Sequence, residues 1–242
     1  MLLRWLGNAL RAIRDKRRVL DIKKMKKITL IGTMHEEVGK CNGNELYDIL
    51  ENIKPDVIFE ETSRYANTLT YKRGIEPNSP FSRSIQKYVQ NNNARCIPVD
   101  NLEKQDFDEF LNVFAVSIME KNINNNELHE VFDFLTEYMS KNGIIGMNTE
   151  YFDNLNKQKH KLCEEYIKNY KIEILDKYYE YKNYTYSQRE EKMIEMINIF
   201  AKENKRFNAV FVIGADHRLT IIDKLRNIEN IEYNFYLGYN RN

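Results

Sequence analysis

Four histidines occur in the 242-residue sequence, and two of them close the same phrase, an apolar run followed by Gly-x-x-His. The phrase reads Ile28-Thr29-Leu30-Ile31-Gly32-Thr33-Met34-His35 and returns as Val210-Phe211-Val212-Ile213-Gly214-Ala215-Asp216-His217. The chain has nine glycines. At that frequency, two of four histidines would have one three places upstream in only about one sequence in a hundred. Two imidazoles with one or two carboxylates match the donor set of a divalent transition metal such as zinc, manganese, iron or cobalt. The same groups also serve metal-free chemistry, in which one histidine takes a proton from water while a carboxylate orients its other ring nitrogen.

The candidate carboxylates are Glu60 and Glu61, which end the run from Asp56, and Asp100, which ends the run from Arg95. Adjacent side chains on a strand point to opposite faces, so one glutamate is aimed at the site, and Glu60 is the one expected there. Asp100 serves as a ligand or orienter, or else caps the next helix. Asp216 either adds negative charge to the site or caps a helix starting near Arg218. His129 and His160 lie in polar helical stretches and are expected at the surface.

Strands must hold these residues. Lys27 to Gly32 reads as a buried strand, followed by a helix from Asn44 to Ile53 with Leu46, Ile49, Leu50 and Ile53 on one face. Pro55 ends that helix, and Asp56 to Glu61 forms a second strand. Ser79-Pro80 opens a helix to about Val89, closed by Asn91-Asn92-Asn93. Arg95 to Asp100 is a third strand, whose Pro98 suggests a sheet edge or a strand end. From Leu102 to Lys205 the pattern is helical, broken only at Gly143 and Gly146, with Lys157 to Tyr186 as long solvated helices. The alternation resumes with the second histidine strand, a helix from Leu219 to Asn227 and a strand from Ile231 to Leu237. The expected fold is α/β, a mostly parallel or mixed sheet of about five strands with flanking helices and a large helical insertion or cap. Its segments are 1–24, a basic amphipathic helix; 25–101, the first part of the core; 102–205, the insertion or cap; and 206–242, the second part of the core.

Composition removes several classes. With 37 basic and 36 acidic residues the net charge is +1, which gives no general field for nucleic acid. Cys41, Cys96 and Cys163 are widely spaced and read as reduced cytoplasmic thiols, with neither a disulfide framework nor a zinc knuckle. No apolar run approaches the roughly 20 residues of a spanning helix. In the N-terminal segment Leu2, Leu6, Ala9 (with Leu10) and Ile13 recur at helical spacing, and Arg4, Arg11, Arg14 and Arg18 interrupt the run that a secretory signal requires. With Trp5 such a helix could make weak contact with an anionic membrane surface, or pack on the domain. There is no phosphate-cradling loop and no Gly-x-Ser-x-Gly elbow.

The motif set resembles the TraB/PrgY-like family, within the broader group that includes TIKI metalloproteases, erythromycin esterases and ChaN-like haem-binding proteins. The resemblance is carried by Gly32 to His35, Pro55 to Glu61, the strand ending at Asp100, Gly214 to His217, and Arg189-Glu190-Glu191-Lys192-Met193, which is similar to an Arg-x-x-x-Met pattern. It implies an α/β core with a helical insertion. TIKI-like members imply metal-dependent peptide hydrolysis, with roles falling on His35, Glu60 and His217. Arg189 would then reach back to pair with a carboxylate or stabilise an oxyanion, unless it is an ordinary surface arginine. The secretory signal of TIKI proteins has no counterpart here, and the group spans hydrolysis, haem binding and signalling. The resulting expectation is a metal-dependent hydrolase of peptide or ester bonds, with a peptide or small molecule as substrate and Mn, Co or Zn as metal. His35, Glu60, His217 and Arg189 are its catalytic residues, and His35, Glu60, Glu61, Asp100 and His217 its metal ligands. The alternative is a non-enzymatic module that binds haem, a peptide or a signal molecule in the same cleft. The oligomeric state is left open.

Overall fold

The computed structural model describes residues 26–100, 126–170 and 173–237. The expected N-terminal amphipathic helix, and the start of the helical region at 102–125, lie outside the described residues. Strands β1 (Lys26–Thr33), β2 (Val57–Ser63), β3 (Arg95–Asp100), β4 (Phe207–Gly214) and β5 (Glu232–Asn234) form one sheet in the order β3-β2-β4-β1-β5, and every pairing is parallel. The described helices are α1 (Gly43–Ile53), α2 (Arg64–Arg73), α3 (Pro80–Asn92), α4 (Asn126–Met147), α5 (Glu150–Tyr170), α6 (Glu173–Glu203) and α7 (Arg218–Leu225). The protein is therefore an α/β fold with a parallel sheet, and Pro98 stands on an edge strand.

The two histidine strands are neighbours. β4 enters between β1 and β2, with Gly32 opposite Ile213, Thr33 opposite Gly214, and Glu60 opposite Val212. All three strands thus end at one level, at a point where the strand order departs from chain order, which is where open α/β sheets form crevices. Each strand is apolar on both faces, as a sheet covered on both sides requires. Ile31, Ile58, Val210 and Val212 pack toward α1 and α3, with Leu135 and Met139 of α4. Ile28, Leu30, Phe59, Phe211 and Ile213 pack toward Met193 and Ile197 of α6 and toward Ile221, Ile222 and Leu225 of α7.

The helical region is not separate from this core. Ile144, Met147 and Phe152 belong to one buried cluster and Met193, Ile197 and Ala201 to the other, so the second half of α6 is a sheet-covering helix. Gly143 interrupts α4 at φ 63°, and the Ile144 N–H there donates to Glu45 Oε2 at 2.6 Å. Any side chain at Gly143 would collide with that carboxylate. Helix α2 is a feature the sequence reading lacks. It buries no residue, so it shows no apolar period, and it forms because Ser63 caps it by accepting from the Ala66 N–H while Gly74 ends it at φ 69°.

A buried polar clamp ties the helices to β1. Asn148 Oδ1 accepts the Gly32 N–H at 2.7 Å, and Asn148 Nδ2 donates to the Gly32 carbonyl at 3.0 Å. Arg218 is fully buried, donating to Asn148 Oδ1 and Asp153 Oδ1, both at 2.9 Å, and to the Phe235 carbonyl. A Cβ at Gly32 would lie 3.1 Å from Arg218 Cδ, so this glycine serves close approach. Burial pushes the Asp153 carboxyl up despite Arg218. No helix among the described residues is long and apolar enough to cross a membrane, and the three cysteines are free.

The clamp predicts that Arg218→Met, which leaves Asp153 buried without its cation, lowers stability by about 3–5 kcal/mol. At this chain length each kcal/mol corresponds to about 2–4 °C in Tm. Combining it with Asp153→Leu should recover more than half of the loss. Urea denaturation followed by circular dichroism measures both, and a urea midpoint unchanged in Arg218→Met would show that the clamp contributes nothing.

Candidate functional site

A cavity of about 640 Å³ lies at the carboxyl edge of the sheet, floored by the ends of β1, β2 and β4 and walled by α3, α4, α5 and α6. The Glu61 carboxylate is part of its lining. Oε2 accepts the Gly214 N–H at 2.6 Å, Oε1 accepts from Arg189 Nη2 at 2.5 Å, and Oε1 lies 3.5 Å from His217 Nε2. Arg189 continues to the fully buried Asp100 carboxylate, with Nη2 at 2.8 Å from Oδ2 and Nε at 3.2 and 3.3 Å from the two oxygens. This is the charge-assisted, forked geometry for which guanidinium is suited. Burial works against the guanidinium charge, but Asp100 and Glu61 overcome it and hold the Arg189 pKa above its ordinary value.

His217 is buried with its ring fixed from two sides. Nδ1 lies 2.9 Å from Glu190 Oε1, and the Tyr186 ring packs on it at 4.3 Å between centroids. Glu190 also accepts from the Thr220 hydroxyl at 2.7 Å and from Lys224 Nζ at 3.0 Å. Burial alone would push the Glu190 carboxyl up, and the bonds from His217, Thr220 and Lys224 outweigh it, holding the group below the usual carboxylate range. A ring proton on Nδ1, directed at Glu190, would leave Nε2 as an acceptor on the cavity side.

The two adjacent glutamates have separate environments. Glu60 is buried and accepts from Cys96 Sγ at 3.1 Å, and burial raises its pKa against the lowering effect of Ser82 and Cys96. Both line the cavity, but Glu61 makes the contacts expected of Glu60. The reason is alternation itself: Glu60 follows Ile58 onto the face of α3, beside Ser82, and Glu61 follows Phe59 onto the face of α6, where Arg189 stands.

His35 is exposed on the cavity lining at the end of β1. His35, Glu60, Glu61 and His217 therefore share one cavity, and Asp100 lies behind Arg189. They do not converge as a donor set. Among the described residues no group of three or more His, Cys, Asp and Glu side chains is placed to hold a metal ion. Glu61 and Asp100 are engaged by Arg189, and Glu60 faces Cys96, so the residues as arranged do not fit a metal. Asp216 does not cap α7. Its Oδ1 accepts from Lys159 at 2.8 Å and lies 3.5 Å from His160 Nε2. Burial would raise its pKa, but His160, Lys159 and Lys182 hold it well below the usual range. His160 is thus half-buried beside the Asp216 carboxylate, while His129 is exposed as expected.

Sequence reasoning missed Glu190, Tyr186 and the clamp residues Asn148, Asp153 and Arg218. Glu190 carried a usable signal, since it lies three and seven residues before Met193 and Ile197 on the apolar stripe of α6, where an unpaired acid would be costly. Comparison with protein-family models, curated proteins and solved structures finds no match to this chain.

The depressed Glu190 pKa has a definite sign. Its stabilising contribution is complete above the unfolded value of about 4.3 and is lost as pH falls through the lower folded value. Denaturation of the parent and of Glu190→Gln across a pH series should show a stability gap that is constant above about pH 5 and closes in more acidic solution. A gap independent of pH would contradict the Glu190 network.

Proposed function

We propose that the protein is a hydrolase of ester or amide bonds in which His217 is the general base. The observation that carries this reading is the pairing of His217 Nδ1 with Glu190 at 2.9 Å while Nε2 faces Glu61 across 3.5 Å at the cavity floor. That separation is long for a direct hydrogen bond, and a water oxygen beside Nε2 would be within reach of both groups. His217 takes a proton from the water, whose oxygen bonds to the substrate carbonyl carbon. The C–O or C–N bond then breaks, and the imidazolium returns the proton to the leaving group. Glu190 holds the ring tautomer, Glu61 positions the water and faces the imidazolium, and Arg189 offsets the carboxylate charge beside the developing oxyanion. The TraB/PrgY-like resemblance supports the same reading through His217, the strand-end glutamates and Arg189. Its metal, expected on His35, Glu60 and His217, enters no step here because the donors do not converge. The three free cysteines support a cytoplasmic location, and the balanced charge supports a peptide or small molecule over nucleic acid as partner.

The test is turnover of chromogenic esters and fluorogenic peptides by metal-stripped protein, with metal content measured on the same sample. His217→Gln should lower kcat/KM by about 10²–10⁴, the usual contribution of a general base. Turnover that requires added Mn, Co or Zn and is lost in His35→Ala would replace this mechanism with a metal-dependent one. Saturable ligand binding with no turnover on any substrate would make the cavity a binding module.

A further inference from the structure

The cavity lining combines two chemistries. From α3, α4 and α5 come Phe81, Phe132, Leu135, Met139 and Phe152. Phe132 is 40 % exposed, an aromatic ring that the fold leaves unburied on the cavity wall. From α5 and α6 come Lys159, Lys182, Tyr178 and Tyr186. His217 and Glu61 line the same space.

The charges are partly paired off. Arg189 is held by Glu61 and Asp100, and Lys159 by Asp216 at 2.8 Å. Lys182 has no carboxylate within ion-pair distance among the described residues, although its charge acts on Asp216 at longer range. Its ammonium stands over the Tyr186 ring, 5.0 Å from the centroid, and the same ring packs on His217. A cation held on an aromatic face beside the general base can receive an anionic group close to the reacting bond.

We propose that the cavity selects an amphiphilic carboxylate, an acyl ester or amide whose apolar arm lodges against Phe132, Leu135 and Met139 and whose carboxylate is read by Lys182. The identity of the bond cleaved rests on the hydrolase reading above, whereas the recognition claim is tested by binding alone.

The probes are N-dansyl-phenylalanine and its decarboxylated analogue N-dansyl-phenethylamine, neither of which carries an ester or carboxamide bond, titrated into the full chain by dansyl fluorescence. The carboxylate should bind about tenfold more tightly than the uncharged analogue, the range of one charge-assisted contact. Lys182→Gln should bring that ratio close to one, and Lys182→Arg, which keeps the charge, should retain it. Phe132→Ser should weaken both probes. Equal affinities in the parent, no binding of either probe, or a ratio that survives Lys182→Gln would overturn the inference whatever the turnover. Absence of turnover with the ratio intact would overturn the hydrolase reading alone.

Discussion

The site depends on one half-buried carboxylate being satisfied from three directions. Glu61 ends β2, yet its oxygens meet the Gly214 N–H of β4, the guanidinium of α6 and, at longer range, the His217 ring. A carboxylate removed from water is costly unless paired and hydrogen-bonded, so its environment has to be assembled together. Arg189 would itself be costly there without the second acid, and Asp100 supplies it from β3. Three strands and one helix are thereby locked in one relation at the edge where the cavity opens.

The clamp around Gly32 does comparable work on the other flank. Asn148 pairs with both backbone groups of Gly32, and Arg218 joins α5, α7 and the segment after β5 beneath it. The two Gly-x-x-His phrases thus use their glycines differently. Gly32 gives room to an arginine, whereas Gly214 offers its N–H to Glu61. The second histidine is correspondingly buried and oriented, while the first stays exposed.

Much of the α/β frame was legible because buried parallel strands must be apolar on both faces and helices on them must be striped. Ile28 to Gly32, Val57 to Phe59 and Val210 to Ile213 announce themselves in this way, and Pro98 marks its edge. The site was legible only to the ends of those strands. Alternation separates Glu60 from Glu61, but which face receives the arginine is set by the packing of α6 on the Phe59 side, which the strand alone does not contain. The partners of His217 and Gly32 come from residues 27 and 116 positions away in the chain, and only tertiary packing brings them together. Helix α2 was illegible because its sequence has no face to bury.

Helix α6 spans 31 residues without a break, carrying Tyr178 and Lys182 on the cavity wall, Arg189 and Glu190 at the site, and Met193 and Ile197 in the core. Each residue of an α-helix advances the side-chain direction by about 100°. One codon gained or lost between Lys182 and Arg189 would swing the wall residues away from the cavity while the core half stayed in place. Ligand preference in descendants of this chain can therefore drift by point substitution along α6 but not by changes in its length, and whatever variation in length the lineage tolerates must accumulate in the loops at either end.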